Sequence, residues 1–179
     1  AAFSTGNVML AVLNGLTGPT SITTKNNGGV ELYASTKPSG VFEYESVTVE
    51  ANSTLLLVSY NNSNPNYTDD YGRTLLVNEL TVQTGGTISA DGQGYPAASG
   101  PGAGANGGGA GHGGVGGNSS NGGIGGNGYG DIYAPIELGS GGGSGNVAGG
   151  AGGGAIKLVV SGELVNNGII SANGNTANP

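Results

Sequence analysis

The sequence predicts an all-β fold: a strand-rich β-sandwich or β-solenoid portion with a glycine-rich, polyglycine-II-like bundle. Three observations carry this reading. Short runs of Val, Ile, Leu, Thr and Tyr, bounded by Asn-Gly and Gly-Gly pairs, dominate residues 1–98. No apolar stretch of ten or more residues repeats at three- and four-residue spacing, so no helix is expected. Finally, 27 of the 41 glycines fall within residues 99–154, which divides the chain into three. The expected organisation is a β-rich part over 1–98, a glycine-rich part over 99–154, and returning strands over 155–179 that pack with the first part.

The β elements read in order. Val8-Met9-Leu10-Ala11-Val12-Leu13 is apolar on both faces and stops at Asn14-Gly15, a tight-turn dipeptide. Such a strand is either covered on both sides in its own subunit or donated to a neighbouring one. Val30-Glu31-Leu32-Tyr33 follows the turn Asn27-Gly28-Gly29, and residues 41–49 alternate apolar and polar. Thr54 to Tyr60 is a further apolar strand, and Leu75-Leu76-Val77 and Leu80-Thr81-Val82 follow the loop at 61–73.

An echo runs through the chain. Thr87-Ile88-Ser89-Ala90-Asp91-Gly92 returns 82 residues later as Ile169-Ile170-Ser171-Ala172-Asn173-Gly174. Each follows a strand and a turn: Leu80-Thr81-Val82 with Gly85-Gly86, then Leu158-Val159-Val160 with Asn167-Gly168. Val47-Thr48-Val49 followed by Thr54-Leu55-Leu56 is a looser third copy. Strand, turn and strand repeated this way is how a solenoid rung reads, while a β-sandwich of similar hairpins remains the alternative.

In the glycine-rich part, His112, Val115, Asn118, Asn121, Ile124 and Asn127 are spaced by three, with Gly-Gly filling most gaps. A three-residue period fits an extended polyglycine helix, whose unpaired backbone groups must find neighbouring chains. Glycine at two positions of three allows close approach and leaves the third residue outward. Tyr95-Pro96, Ser119-Ser120 and residues 131–137 are the expected turns, with 141–143 and 149–154 returning.

The run Ile88-Ser-Ala-Asp-Gly-Gln-Gly-Tyr95, the block around Gly111-His112-Gly113-Gly114, Leu138-Gly-Ser-Gly-Gly-Gly, residues 149–156 and Gly168-Ile-Ile-Ser-Ala-Asn-Gly174 resemble the glycine-rich repeats of very large secreted surface and matrix proteins. The glycine tract is also similar to the polyglycine-II adhesin tips of phage tail fibres. These resemblances imply an extracellular or cell-surface protein with a structural or adhesive role and no catalytic activity. One repeat and the start of another imply a polymerising subunit or an excised fragment. No signal peptide is legible at the start, and Ala1-Ala2 fits the residues left by a removed one.

Composition narrows the chemistry. Charged residues are 8% of the chain and the net charge is −7, so a phosphate backbone has nothing to bind and no nucleic-acid partner is expected. The absence of cysteine removes disulfides, thiolate metal sites and cysteine nucleophiles. The longest apolar run is too short to span a bilayer. Gly102-x-Gly104-x-x-Gly107 and Gly111-x-Gly113-x-x-Gly116 match a dinucleotide pattern, but neither follows a strand and opens a helix. Residues 125–132 approach a calcium nonapeptide, with Asp131 one place out of register. No cofactor is expected.

The remaining candidates are few. Asn64, Asn66, Asp69 and Asp70 form an oxygen-rich loop, the weak Ca²⁺ candidate. Glu43 and Glu45 share one strand face, where paired carboxylates suit glycoside hydrolysis only within a cleft. His112 reads as one more outward residue of the glycine register. Asn52, Asn61, Asn66 and Asn118 are candidate glycosylation sites. Tyr95, Ser119, Ser120, Tyr129 and Tyr133 are surface-binding candidates on loop tips, where aromatics stack on sugars. Val8, Met9, Leu10, Ala11, Val12 and Leu13 form the candidate assembly strand. The expected function is an extracellular structural subunit of a filament, sheath or matrix, self-associating as a homopolymer. The alternative is an adhesin tip that binds a surface glycan or protein on a glycine-rich scaffold. A third is an ice- or mineral-binding surface.

Overall fold

The computed structural model describes residues 2–3, 7–11, 21–25, 28–33, 40–60, 63–68 and 70–177. Among them there is no helix. Eleven strands form: β1 (Ala2–Phe3), β2 (Asn7–Ala11), β3 (Ser21–Thr24), β4 (Gly29–Tyr33), β5 (Val41–Val49), β6 (Thr54–Leu57), β7 (Arg73–Val82), β8 (Thr87–Ser89), β9 (Ile156–Val160), β10 (Leu164–Asn166) and β11 (Ile169–Ser171). One sheet runs β1-β3-β5-β7-β10 with β9 also on β7, and the other runs β11-β8-β6-β4-β2.

Every pairing between these strands is parallel. Parallel neighbours need a crossover, and from β1 to β8 each crossover is a strand of the opposite sheet. Over β1 to β8 the chain therefore coils, each turn adding one strand to both sheets, and after residues 90–155 the strands β9, β10 and β11 complete the last turn. Among the described residues no two strands pair as a hairpin. The same Asn and Gly turns instead carry the chain from one sheet to the other. At Gln83–Gly86 the turn closes with Gly86 N–H donating to Gln83 O at 2.8 Å. It stacks on the turn below, Asn52 N–H donating to Gly85 O at 3.0 Å. A left-handed residue fills the bend in both, Asn52 at φ 57° and Gly85 at φ 83°. Gly168 has no room for a side chain in this stack, since a Cβ would lie 2.3 Å from Gly86 O.

The register explains the core. Ile22, Val47, Leu80 and Leu164 form one inward column, and Val30, Leu55, Ile88 and Ile170 another. The first three members of each are almost wholly buried. The 82-residue echo is this register, with Thr87, Ile88 and Ser89 beside Ile169, Ile170 and Ser171.

Three expectations need correction. Leu75-Leu76-Val77 and Leu80-Thr81-Val82 are one strand, its pairing interrupted at Glu45 and Asn78. There two successive residues of β7, Asn78 and Glu79, stand outside the core between Val77 and Leu80. Asn78 Nδ2 donates to Glu45 Oε1 at 3.1 Å, and Ser161 Oγ donates to Asn78 Oδ1 at 3.2 Å, a polar ladder at the interruption. The strand equivalent to Leu80–Val82 is β10, not Leu158–Val160, which pairs with Leu75–Val77. Thr54 to Tyr60 is shorter than expected, the strand ending at Leu57. β2 pairs with β4 from Asn7 to Ala11. Val12 and Leu13 fall outside the described residues.

By contacts the chain forms two compact units. Unit 1 comprises 1–60, 73–89 and 156–171, the coil of strands; unit 2 comprises 61–72, 90–155 and 172–179. The sequence expectation placed the divisions at 98/99 and 154/155. Contacts place them at 89/90 and 155/156, and they add residues 61–72 and 172–179 to the glycine-rich unit.

Unit 2 is held mainly through its backbone. Gly109 N–H donates to Gly117 O at 2.8 Å, and its carbonyl accepts Gly126 N–H at 2.9 Å. One residue away Gly108 O accepts Gly143 N–H at 2.8 Å, and Gly111 N–H reaches Gly102 O at 2.8 Å. One pass of chain thus bonds to four others, whereas a strand within a sheet bonds to two. Such approach requires missing side chains: a Cβ on Gly125 would lie 1.8 Å from Gly116 O. All six residues of the three-residue register, from His112 to Asn127, are exposed, as expected.

Candidate functional site

Few side chains anchor the glycine-rich unit, and they lead to its most exposed loop. Leu138 and Ser140 are buried. Ser140 Oγ accepts Gly102 N–H at 2.9 Å and donates to Tyr129 Oη at 2.9 Å, and Tyr129 in turn donates to Leu138 O. Burial raises the Tyr129 pKa above its ordinary value, even though the Ser140 hydrogen bonds pull the other way. The ring edge of His112 meets Tyr129 with centroids 4.7 Å apart.

From this base the chain turns at Gly130, φ 84°, into residues 131–136. Asp131 Oδ1 accepts Tyr133 N–H at 2.7 Å, an Asx turn that shapes the tip. Tyr133 is 91% exposed, flanked by exposed Ile132 and Ile136. Three large apolar side chains held outward by a hydrogen-bonded turn make a contact surface for a partner. Behind the loop, His112 Nε2 and Glu137 Oε2 both lie within 3.4 Å of where a Gly130 Cβ would sit. No acid stands near His112 in the sequence, so this juxtaposition was invisible before folding.

The other predicted residues scatter. Tyr95, expected at the surface, is 3% exposed. Tyr67 meets it edge-on, ring centroids 5.0 Å apart. Burial, and secondarily the Asp70 carboxylate beside it, drives its pKa well above the usual phenol range. Ser119 is half-buried and occupied by its own turn, its Oγ accepting Gly123 N–H at 2.8 Å, while Ser120 is exposed.

Of the calcium candidates, Asn64 Oδ1 accepts Asn66 N–H at 2.7 Å and Asn66 Oδ1 accepts the Thr68 hydroxyl at 2.8 Å. Both carboxamide oxygens are thereby engaged in local turns. Asp70 lies beside Tyr95, and Asp69 is outside the described residues. Among those residues no cluster of three or more His, Asp or Glu forms. Glu43 and Glu45 share the exposed face of β5 as expected, and Glu45 is held by Asn78.

Asn52 is exposed in a left-handed turn. Asn66 and Asn118 are exposed, the latter accepting Gly125 N–H at 2.8 Å. Asn61 lies outside the described residues. For the assembly strand, only the backbone of Val8 to Ala11 is described. No helix among the described residues is long and apolar enough to cross a membrane.

One feature of unit 1 had no counterpart in the sequence reading. Leu164 stands in the column of Ile22, Val47 and Leu80, yet it is 50% exposed where Leu80 is fully buried. Ile169 and Val159, on neighbouring strands of the same rung, are also exposed. No known family matches the chain, and neither does any curated protein or solved structure.

Proposed function

We propose that the protein is an extracellular structural subunit that self-associates into a filament, sheath or matrix and has no catalytic activity. Leu164 carries this reading. A position that forms the core of three rungs is left half-uncovered on the last, beside the free edges of β10 and β11. An open parallel edge with apolar side chains and unpaired backbone groups favours addition of a further rung. A second copy supplies one in the correct polarity, because β1 and β2 end the same two sheets at the opposite side. Such contact is heterologous, so it propagates rather than closing into a dimer. The glycine-rich unit reads as a polyglycine-II bundle, a rigid element that needs no side-chain core. The four-sided bonding around 108–111 and the outward register from His112 to Asn127 support that reading.

Negative-stain imaging and sedimentation velocity test the proposal. The wild-type chain is expected to form assemblies with a regular axial repeat, and the paired substitution Leu164→Asp with Ile169→Lys to leave a folded monomer. A wild-type chain that stays monomeric at all concentrations overturns it.

A second reading has its own observation. The loop 131–136, with Tyr133 outermost, suits an adhesive tip that contacts a surface glycan or protein, aromatic loop residues giving contact area at low entropy cost. Exchange of that loop for glycine and serine then removes surface binding while assembly persists.

A further inference from the structure

We propose that a cleft bounded by Asn106, Asn121 and Asn146 in the glycine-rich unit binds a neutral saccharide. The cleft has a volume of ≈ 650 Å³, and Ser119, Ser144 and Val147 complete the part of its lining that matters here. That volume is in the range of small-ligand sites, and it suits a short oligosaccharide.

The lining carries no acidic, basic or histidine side chain. An anionic or cationic ligand would lose hydration there without gaining a counter-charge. What the lining offers is amide chemistry. Each Asn side chain presents one acceptor oxygen and two N–H donors, the combination that a sugar hydroxyl, both donor and acceptor, can satisfy. Among the described residues, the carboxamides of Asn106, Asn121 and Asn146 have no intramolecular hydrogen bond, and all three residues are exposed. Val147, 47% exposed, adds an apolar surface for the C–H face of a ring.

The backbone beneath these amides is held. Asn106 and Gly107 both take left-handed conformations, φ 50° and 84°, in a turn closed by Gly108 N–H donating to Ala105 O at 2.9 Å. Asn121 sits in the turn where Gly122 N–H donates to Ser119 O at 3.2 Å. Asn146 lies inside a loop pinned by Gly145 N–H to Val147 O at 3.0 Å and Gly149 N–H to Ser144 Oγ at 3.3 Å. Turns ordered before the ligand arrives spare it the cost of ordering that backbone. The proposal goes beyond the structural reading and does not depend on assembly.

Calorimetric titration of the full chain with neutral pentasaccharides of glucose, mannose and galactose, and with uronic-acid oligosaccharides of the same length, tests the proposal. At least one neutral pentasaccharide is expected to bind, and the uronic-acid series to bind more weakly. Asn121→Ala and Asn146→Ala are each expected to weaken binding by about tenfold, the loss of a ligand hydrogen bond or two, with an unchanged circular dichroism spectrum. Asn127→Ala, which alters an exposed amide outside the cleft, is expected to bind as the wild type. Absence of neutral-saccharide binding overturns the proposal. So does equal or stronger binding of the uronic acids, or wild-type affinity in both cleft variants. Sedimentation of the same samples reports assembly separately, so a failed filament and a failed cleft give different results.

Discussion

The coil of strands over residues 41–57 and 73–89 and the glycine-rich residues 100–128 order their backbones by opposite means. In the coil of strands, like side chains meet from one rung to the next, as Ile22, Val47 and Leu80 do. Apolar burial at roughly 25 cal/mol per Å² supplies the cohesion. Over residues 100–128, the side chains of the three-residue register stand outside and carbonyls pack where a Cβ would be. Cohesion there comes from backbone hydrogen bonds, each worth about 0.5–1.5 kcal/mol net, set against the large entropy that glycine loses on ordering. The first region is weakened by removing atoms, the second by adding them.

The sharpest way to break this contrast is Gly125→Ala. One added methyl meets Gly116 O at 1.8 Å, a backbone atom of another pass. Overpacking here is expected to cost more than ~3 kcal/mol and to unfold the glycine-rich unit. Hydrogen exchange should show residues 90–155 losing protection while 41–57 keep it. Uniform loss would mean the two units are not distinct in stability.

Next in size is a pair within one column. Leu80→Ala removes a fully buried side chain and should cost about 2–5 kcal/mol. Leu164→Ala, half-exposed, should cost no more than ~1 kcal/mol in the monomer while weakening assembly. Urea denaturation measures both, and equal losses would refute the open-edge reading.

A third test uses pH. Burial pushes the Tyr44 hydroxyl up to about 12, while an unfolded tyrosine ionises near 10. The neutral phenol is therefore favoured in the fold, and its contribution is complete below about pH 10. It is lost as pH rises through about 12, with ~2–3 kcal/mol at stake. Circular dichroism and phenolate absorbance should show cooperative alkaline unfolding, and Tyr44→Phe should delay it. In the glycine-rich unit Tyr95 and Tyr129 shift upward as well, so both regions should fail in alkali.

The smallest expected effect runs the other way. A Cβ on Gly117 meets nothing within 4 Å, and its φ is not left-handed. Gly117→Ala should therefore stabilise by about 0.4–1 kcal/mol, because the unfolded chain loses freedom. Thermal melting would show a small rise where Gly125→Ala shows collapse. A fall would mean the open positions are not open.

The sequence by itself determined the all-β class, because alternation over 41–49 and the scarcity of helix formers are local properties. It also held the rung register, since Thr87-Ile88-Ser89 and Ile169-Ile170-Ser171 must occupy equivalent places to pack on one another. The exposure of His112, Val115, Asn118, Asn121, Ile124 and Asn127 agrees with their spacing of three along the chain. Other features were decided only by tertiary structure. β3 and β10 are three or four residues long, too short to carry a period, and they form because an adjacent strand offers an edge. An Asn-Gly turn bends the chain alike in a hairpin and a coil, and the location of the next free edge chooses between them. Tyr95 became core because Tyr67 and Asp70, remote in sequence, lie against it. Three asparagines met around one cleft because backbone packing brought distant turns together, and no spacing along the chain encodes that distance.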